Sequence, residues 1–202
     1  MFPINEFKIT VVSESDTEGV FSVGPLPKGY ANTVGTVFRR ILLSSIPGAA
    51  ITSVKLNGVQ HEYTTIAGLK DDVLSVVLAM KGIALVSRSD DPVTLKLNKK
   101  GEKGKAVEVT AADLEKNPLV DVINPDYVIT TLADEKAKLD VEVTVEKGIG
   151  YSLPQEEKRE EVGMIPVDAI FSPIKLVAVD AKNARVGQQT DLDALEVRIV
   201  TN

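Results

Sequence analysis

The sequence predicts an α+β protein in which a discontinuous domain, a mixed sheet with helices, carries an inserted, mainly β domain. Three observations predict it. The first and last segments both alternate apolar and polar residues as strands do, and neither supplies a full layer of helices. Only two stretches have helical periodicity. The middle, 51–165, is mostly strand pattern and has turns of its own, so it can close on itself while 1–50 and 166–202 meet, as the ends of a domain commonly do. With 202 residues and 44% apolar side chains, the chain can bury one large core or two small ones.

The elements follow in order. "FKITVV" and "GVFSVG" flank the polar turn "SESDTEG" and predict a hairpin within residues 4–24. Asn32 is the expected cap of a helix from Thr33 to Ser45. "IPG" ends it, because Pro47 disfavours helical geometry at Ile46. Thr52, Val54 and Leu56 alternate as a strand. A second helix is expected from Leu69 to Lys81, with Leu69, Val73, Val76, Val77 and Met80 as its apolar stripe and Gly82 as its end. Strands are expected at 93–98, 127–132 and 138–146, with loops "KKGEKGKA" and "DLEKNPLVDVINPD" between them. "QEEKREEVG" is a charge run without an apolar partner and is expected to be a loop or linker. "IFSPIKLVAV" and "LEVRIVTN" are strand again.

The first helix carries the most information. At ~100° per residue, Val34, Val37, Phe38, Ile41 and Leu42 fall within about 140° of arc, the expected core-facing or subunit-facing stripe. Arg39, Leu43 and Arg40 follow at about 140°, 180° and 240° on the same wheel, so Leu43 is expected to face away from the stripe between two arginines. That arrangement suits a partner-binding patch, since arginine grips carboxylates through a rigid fork and is enriched at interface hot spots. The plain alternative is a surface leucine between snorkelling arginines. Phosphate binding is disfavoured, because the pair sits past mid-helix and away from the N-terminus.

Catalytic patterns are absent. Net charge is -6, so nothing global draws the protein to nucleic acid. Without cysteine there are no disulfides, thiol nucleophiles or cysteine metal sites. His61, beside Glu62, is the single histidine and has no second histidine or G-x-S-x-G elbow to work with, so a structural role is expected. "GIGYS" lacks the endings of a dinucleotide or P-loop fingerprint, and Gly148 and Gly150 are expected to permit close backbone approach or an unusual turn. Asp71 and Asp72 suit a helix N-terminus. Glu156, Glu157, Glu160 and Glu161 mix with Lys158 and Arg159 and read as a solvated run rather than a cation site. Lys99, Lys100, Lys103 and Lys105 form a basic loop without interleaved aromatics, so strand stacking is not indicated. No cofactor or metal is expected. No apolar run approaches the ~18 residues of a membrane span, the N-terminus lacks a secretory pattern, and cytoplasm is the expected compartment. Three readings stay open: an assembly scaffold, a homodimeric interaction module with some other partner, and, remotely, a metal-dependent hydrolase using His61.

A resemblance narrows these. "GYANTVGTVFRRILLSSIPGAAITSVKLNGVQHEYTTIAGLKDDVLSVVLAMKG", "VTAADL", "VEKGIGY", "IPVDAIFSPIKLVAV" and "ARVGQQTDLDALEV" occur in this order over nearly the whole chain. Together they resemble the N-terminal domain of the alpha subunit of bacterial-type DNA-directed RNA polymerase. The resemblance implies a homodimer formed through helices of the outer domain, with Val34, Val37, Phe38, Ile41 and Leu42 on its dimer or core helix. It implies a platform on which the beta and then the beta-prime subunit assemble, with no active site in this chain. It implies that Arg39, Arg40 and Leu43 meet beta, and that Lys81, Lys147, Gly148, Gly150 and Tyr151 face the large subunits. The family usually has a small residue and leucine before the arginine pair, where Val37 and Phe38 stand here. The family's second dimerisation helix and DNA-binding C-terminal domain have no counterpart before Asn202, so no direct DNA binding is expected from these residues.

Overall fold

The computed structural model describes residues 7–56, 58–59, 61–154, 163–187 and 189–202. The expected charge-run loop at 155–163 lies almost wholly outside the described residues. The chain divides into two compact units, one of Met1–Ile46 with Ser172–Asn202 and one of Pro47–Phe171. The sequence-based boundaries, at 50/51 and 165/166, fall elsewhere because β3 (Pro47–Leu56) is one unbroken strand beginning at the proline, and all its partners are in the second unit. Proline is tolerated as the first residue of a strand, where its missing N–H interrupts no ladder.

In the first unit, β1 (Lys8–Glu14), β2 (Glu18–Pro27), β13 (Ile174–Val186) and β14 (Gln189–Thr201) form one sheet in the order β1-β2-β14-β13. Every pairing is antiparallel, where mixed directions were expected. The helix α1 (Tyr30–Ser44) lies on this sheet and packs chiefly on β13 and β14. It starts earlier than expected. Gly29 is the N-cap, with φ 85, a left-handed conformation that glycine adopts without a Cβ penalty. Its N–H donates to Asp193 Oδ2 at 2.6 Å. Asn32, the expected cap, is inside the helix, where its carbonyl accepts from Thr36 Oγ1.

The face that α1 buries also departs from the wheel. Ala31 and Gly35 are buried, and Val34, Leu42 and Leu43 pack against Val177, Leu195 and Val197. Val37, Phe38 and Ile41, expected on the core-facing or subunit-facing stripe, are about half exposed at 52%, 51% and 51%. The cause is Gly35. A Cβ there would sit 2.3 Å from Val179 Cγ1 and 2.9 Å from Leu195 Cδ1, so the helix backbone approaches the sheet along its small residues. The bulky side chains are rotated to the flank.

The second unit is built on the sheet β5-β9-β3-β4-β7, comprising β5 (Val93–Lys100), β9 (Lys138–Ile149), β3, β4 (Leu85–Ser87) and β7 (Val120–Val122), with β11 (Met164–Pro166) also paired to β3. β6 (Val107–Thr110) pairs with β8 (Val128–Leu132), and β10 (Tyr151–Ser152) with β12 (Ala169–Ile170). β5 and β9 alternate as a one-sided sheet should: Val93, Leu95, Leu97, Leu139, Val141, Val143 and Val145 are buried, and the residues between them are polar. The helix α2 (Val73–Met80) closes this core with Val73, Val76, Val77 and Met80. It is shorter than expected, because Asp72 caps it by accepting from the Ser75 N–H at 3.0 Å, leaving Leu69 in the preceding turn.

Candidate functional site

Two groups of sequence-predicted residues can be followed into the structure, one in each unit. In the first unit, α1 presents two different surfaces. Tyr30, Val34, Val37, Phe38 and Ile41 recur at helical spacing along one flank, and all but the partly buried Val34 are exposed. The helix thus carries a second apolar stripe that its own sheet does not cover. On the other flank, Leu43 is half-buried against the core of its own unit, which corrects the expectation that it points into water between the arginines. Arg39 and Leu43 together line an open hollow of about 420 Å³ beside β13, whose other lining residues are Lys175, Leu176, Val177, Ala178 and Val179. Arg40 is exposed and stands outside that hollow. The structure therefore brings Arg39 and Leu43 together and leaves Arg40 on its own side of the helix.

In the second unit, Lys81 and Tyr151 converge on one carboxylate. Lys81 Nζ donates to both oxygens of Asp168 at 2.7 Å, and Tyr151 OH donates to Oδ2 at 3.4 Å. The Lys81 ammonium, in a pair whose side chains are 25% and 30% exposed, holds the Asp168 carboxyl below its ordinary range by hydrogen bonding, with the Tyr151 hydroxyl adding to it. Gly148 lies against the Phe171 ring, which a Cβ would approach at 2.7 Å, and the Gly150 carbonyl accepts from the Phe171 N–H at 2.8 Å. Gly150 itself has φ 70. Close approach and an unusual turn, both expected of these glycines, are what they provide. Lys147 turns elsewhere and donates to Asp90 at 2.7 Å, an exposed pair that lowers the Asp90 carboxyl. Around the cluster Ile149, Tyr151, Leu153 and Ile170 are exposed apolar side chains, with Tyr151 and Ile170 directly opposite in register. Asp168 and Phe171 organise this region, yet sequence reasoning singled out neither. Their only signal was their place in "IPVDAIFSP".

Catalytic chemistry finds little to work with. His61 is exposed. Among the described residues no group of three or more His, Asp or Glu is close enough to hold a metal ion. The basic loop is partly neutralised by structure, with Lys99 Nζ donating to Asp113 Oδ1 at 2.5 Å. No described helix is long and apolar enough to cross a membrane.

Residues 54–172 match the family model described as the RNA polymerase Rpb3/RpoA insert domain, a span that covers most of the second unit. The chain is also similar to curated proteins named DNA-directed RNA polymerase subunit alpha. It is 44% identical to that of Roseiflexus sp. (strain RS-1) over 195 residues, 96% of this chain and 59% of the relative. For Symbiobacterium thermophilum the figures are 43% over 199 residues, 98% and 62%. For Desulforamulus reducens they are 42% over 206 residues, 100% and 64%. The chain therefore spans about three fifths of the length of these relatives. With more than half its residues inside the family model and near-complete similarity to alpha subunits, this chain belongs to the family of the RNA polymerase Rpb3/RpoA insert domain.

Proposed function

We propose that this chain is a non-catalytic alpha-type subunit of DNA-directed RNA polymerase that dimerises and serves as the platform on which the beta and beta-prime subunits assemble in the cytoplasm. The observation that carries the reading is the uncovered apolar stripe on α1. Tyr30, Val37, Phe38 and Ile41 are exposed at 58%, 52%, 51% and 51% on one flank of a helix that is already seated on its sheet. Contiguous apolar side chains of this kind mark a protein contact, and a helix flank repeated in a second copy makes a self-complementary interface. The first unit is on this reading the dimerisation domain. Arg39 and Arg40, with Leu43 in the wall of the adjacent hollow, meet beta. Lys81, Lys147, Gly148, Gly150 and Tyr151 belong to the face turned toward the large subunits, where the Lys81–Asp168–Tyr151 cluster supplies a fixed polar centre within exposed apolar side chains. The names of the relatives support the polymerase assignment.

Sedimentation of the chain and of its Phe38→Glu variant tests the pairing. The chain is expected to sediment as a dimer and the variant as a monomer of unchanged circular dichroism. A dimer in both would remove α1 from the interface.

A further inference from the structure

We infer that the free edge of β13 takes an acidic, extended segment of a partner protein, which adds to the sheet as a further strand and pairs its carboxylates with Arg39 and Lys175. This deepens the assembly reading and rests on it for the partner's identity, while the chemistry of the segment follows from the hollow alone.

β13 ends the order β1-β2-β14-β13, so one side of its backbone has no strand partner among the described residues. Unpaired N–H and C=O groups along an edge are a template for another strand. The hollow lies beside one part of this edge strand. Its lining contains Lys175, Leu176, Val177, Ala178 and Val179 in succession. Neighbouring side chains on a strand point to opposite faces, so five consecutive residues share one hollow through the strand's backbone as well as its side chains. At ~3.3 Å per residue that stretch is roughly 13 Å long, enough for a short extended segment.

Edge protection is missing over Leu176–Val179. Register shifts interrupt the β13–β14 ladder at Ile174/Leu176 and at Ala184/Val186, and Lys182 and Arg185 guard the distal half. Leu176–Val179 is uncharged and lies between those devices. The sign of the partner follows from the rim. Arg39 and Lys175 line the hollow, no carboxylate does, and neither cation has an ion-pair partner among the described residues. α1 contains no acidic residue. Asp180, the next acid on β13, lies one step past Val179, which packs toward α1, so alternation puts it on the opposite face. In a chain of net charge -6, this is a locally cationic slot with an apolar wall of Leu43, Val177 and Val179.

The test titrates a short fluorescein-labelled peptide of alternating Glu and Val, and its Lys–Val counterpart, into the chain, with amide hydrogen exchange read on the complex. The acidic peptide is expected to bind saturably and to slow exchange at Leu176–Val179. Arg39→Glu and Lys175→Glu, both exposed positions, are each expected to weaken it by about tenfold with unchanged circular dichroism. Equal binding of both peptides, no binding, or protection confined to other strands overturns the proposal. The same exchange measurement with the beta subunit separates the two readings. Beta capture without protection at Leu176–Val179 removes the edge site and leaves the assembly role standing. Acidic-peptide binding without beta capture removes the assembly role and leaves the edge site.

Discussion

Replacing Gly35 by alanine should destabilise the first unit, although alanine is the better helix former. In an open helix interior the change would stabilise by about 1 kcal/mol through propensity. Here the new Cβ would lie 2.3 Å from Val179 Cγ1 and 2.9 Å from Leu195 Cδ1, against ~3.5–4.0 Å for relaxed carbon contacts. Leu195 is 1% exposed, so it cannot yield by moving into solvent. Val179 is β-branched and holds few rotamers. Overpacking of this kind costs about 1–3 kcal/mol, so the net expected loss reaches about 2 kcal/mol after the propensity gain of about 1 kcal/mol. Urea unfolding followed by circular dichroism reads the loss as a lower midpoint at unchanged slope. Amide exchange in α1 assigns it to this unit. A variant more stable than the parent would mean that the helix stands off the sheet at Gly35. The account of why Val37, Phe38 and Ile41 are displaced to the flank would then fail with it.

Other outcomes follow from the same geometry. Ile41→Glu, like Phe38→Glu, should abolish self-association in light scattering with unchanged circular dichroism, because the side chain is half exposed on its own unit. Arg40→Ala should reduce capture of beta without altering the melt, and a lowered melting temperature would instead make Arg40 structural. Asp168→Asn should cost about 1 kcal/mol at neutral pH by breaking the partly buried contact with Lys81. The Asp168 carboxyl is held below its ordinary range, so its contribution is present above that range and fades as pH falls through the lowered folded value. Stability of parent and variant should therefore converge in acid, and a constant difference across pH would contradict the pairing. His61→Ala should leave fold and beta capture unchanged, as an exposed side chain implies.

Much of this was legible in the residues. Strict alternation at Val93–Asn98 and Leu139–Val145 marked the strands of the second unit, because one face of that sheet is fully buried. The stripe Val73, Val76, Val77 and Met80 was read correctly for the same reason. The short strands β4, β6 and β7 were not, since three or four residues carry too little period to stand out from a loop. The buried face of α1 was misread for a different cause. A wheel weighted by bulk cannot see that Ala31 and Gly35 make the closest contact, and an uncovered apolar flank has the same periodicity as a covered one. Leu43 followed from that error, because its placement was computed from the wrong centre. The meeting of Lys81 with Tyr151 through Asp168 depends on pairing across 87 residues, which local pattern does not encode. Lys81 and Tyr151 were named only because the chain resembles a family.

The most direct test of the central claim is co-purification of this chain with a tagged beta subunit from the same organism, with the mass of the complex read by light scattering. A complex of two copies of this chain with one beta is expected, and a reduced yield of it in the Arg40→Ala variant. A monomer that leaves beta unbound would contradict the claim.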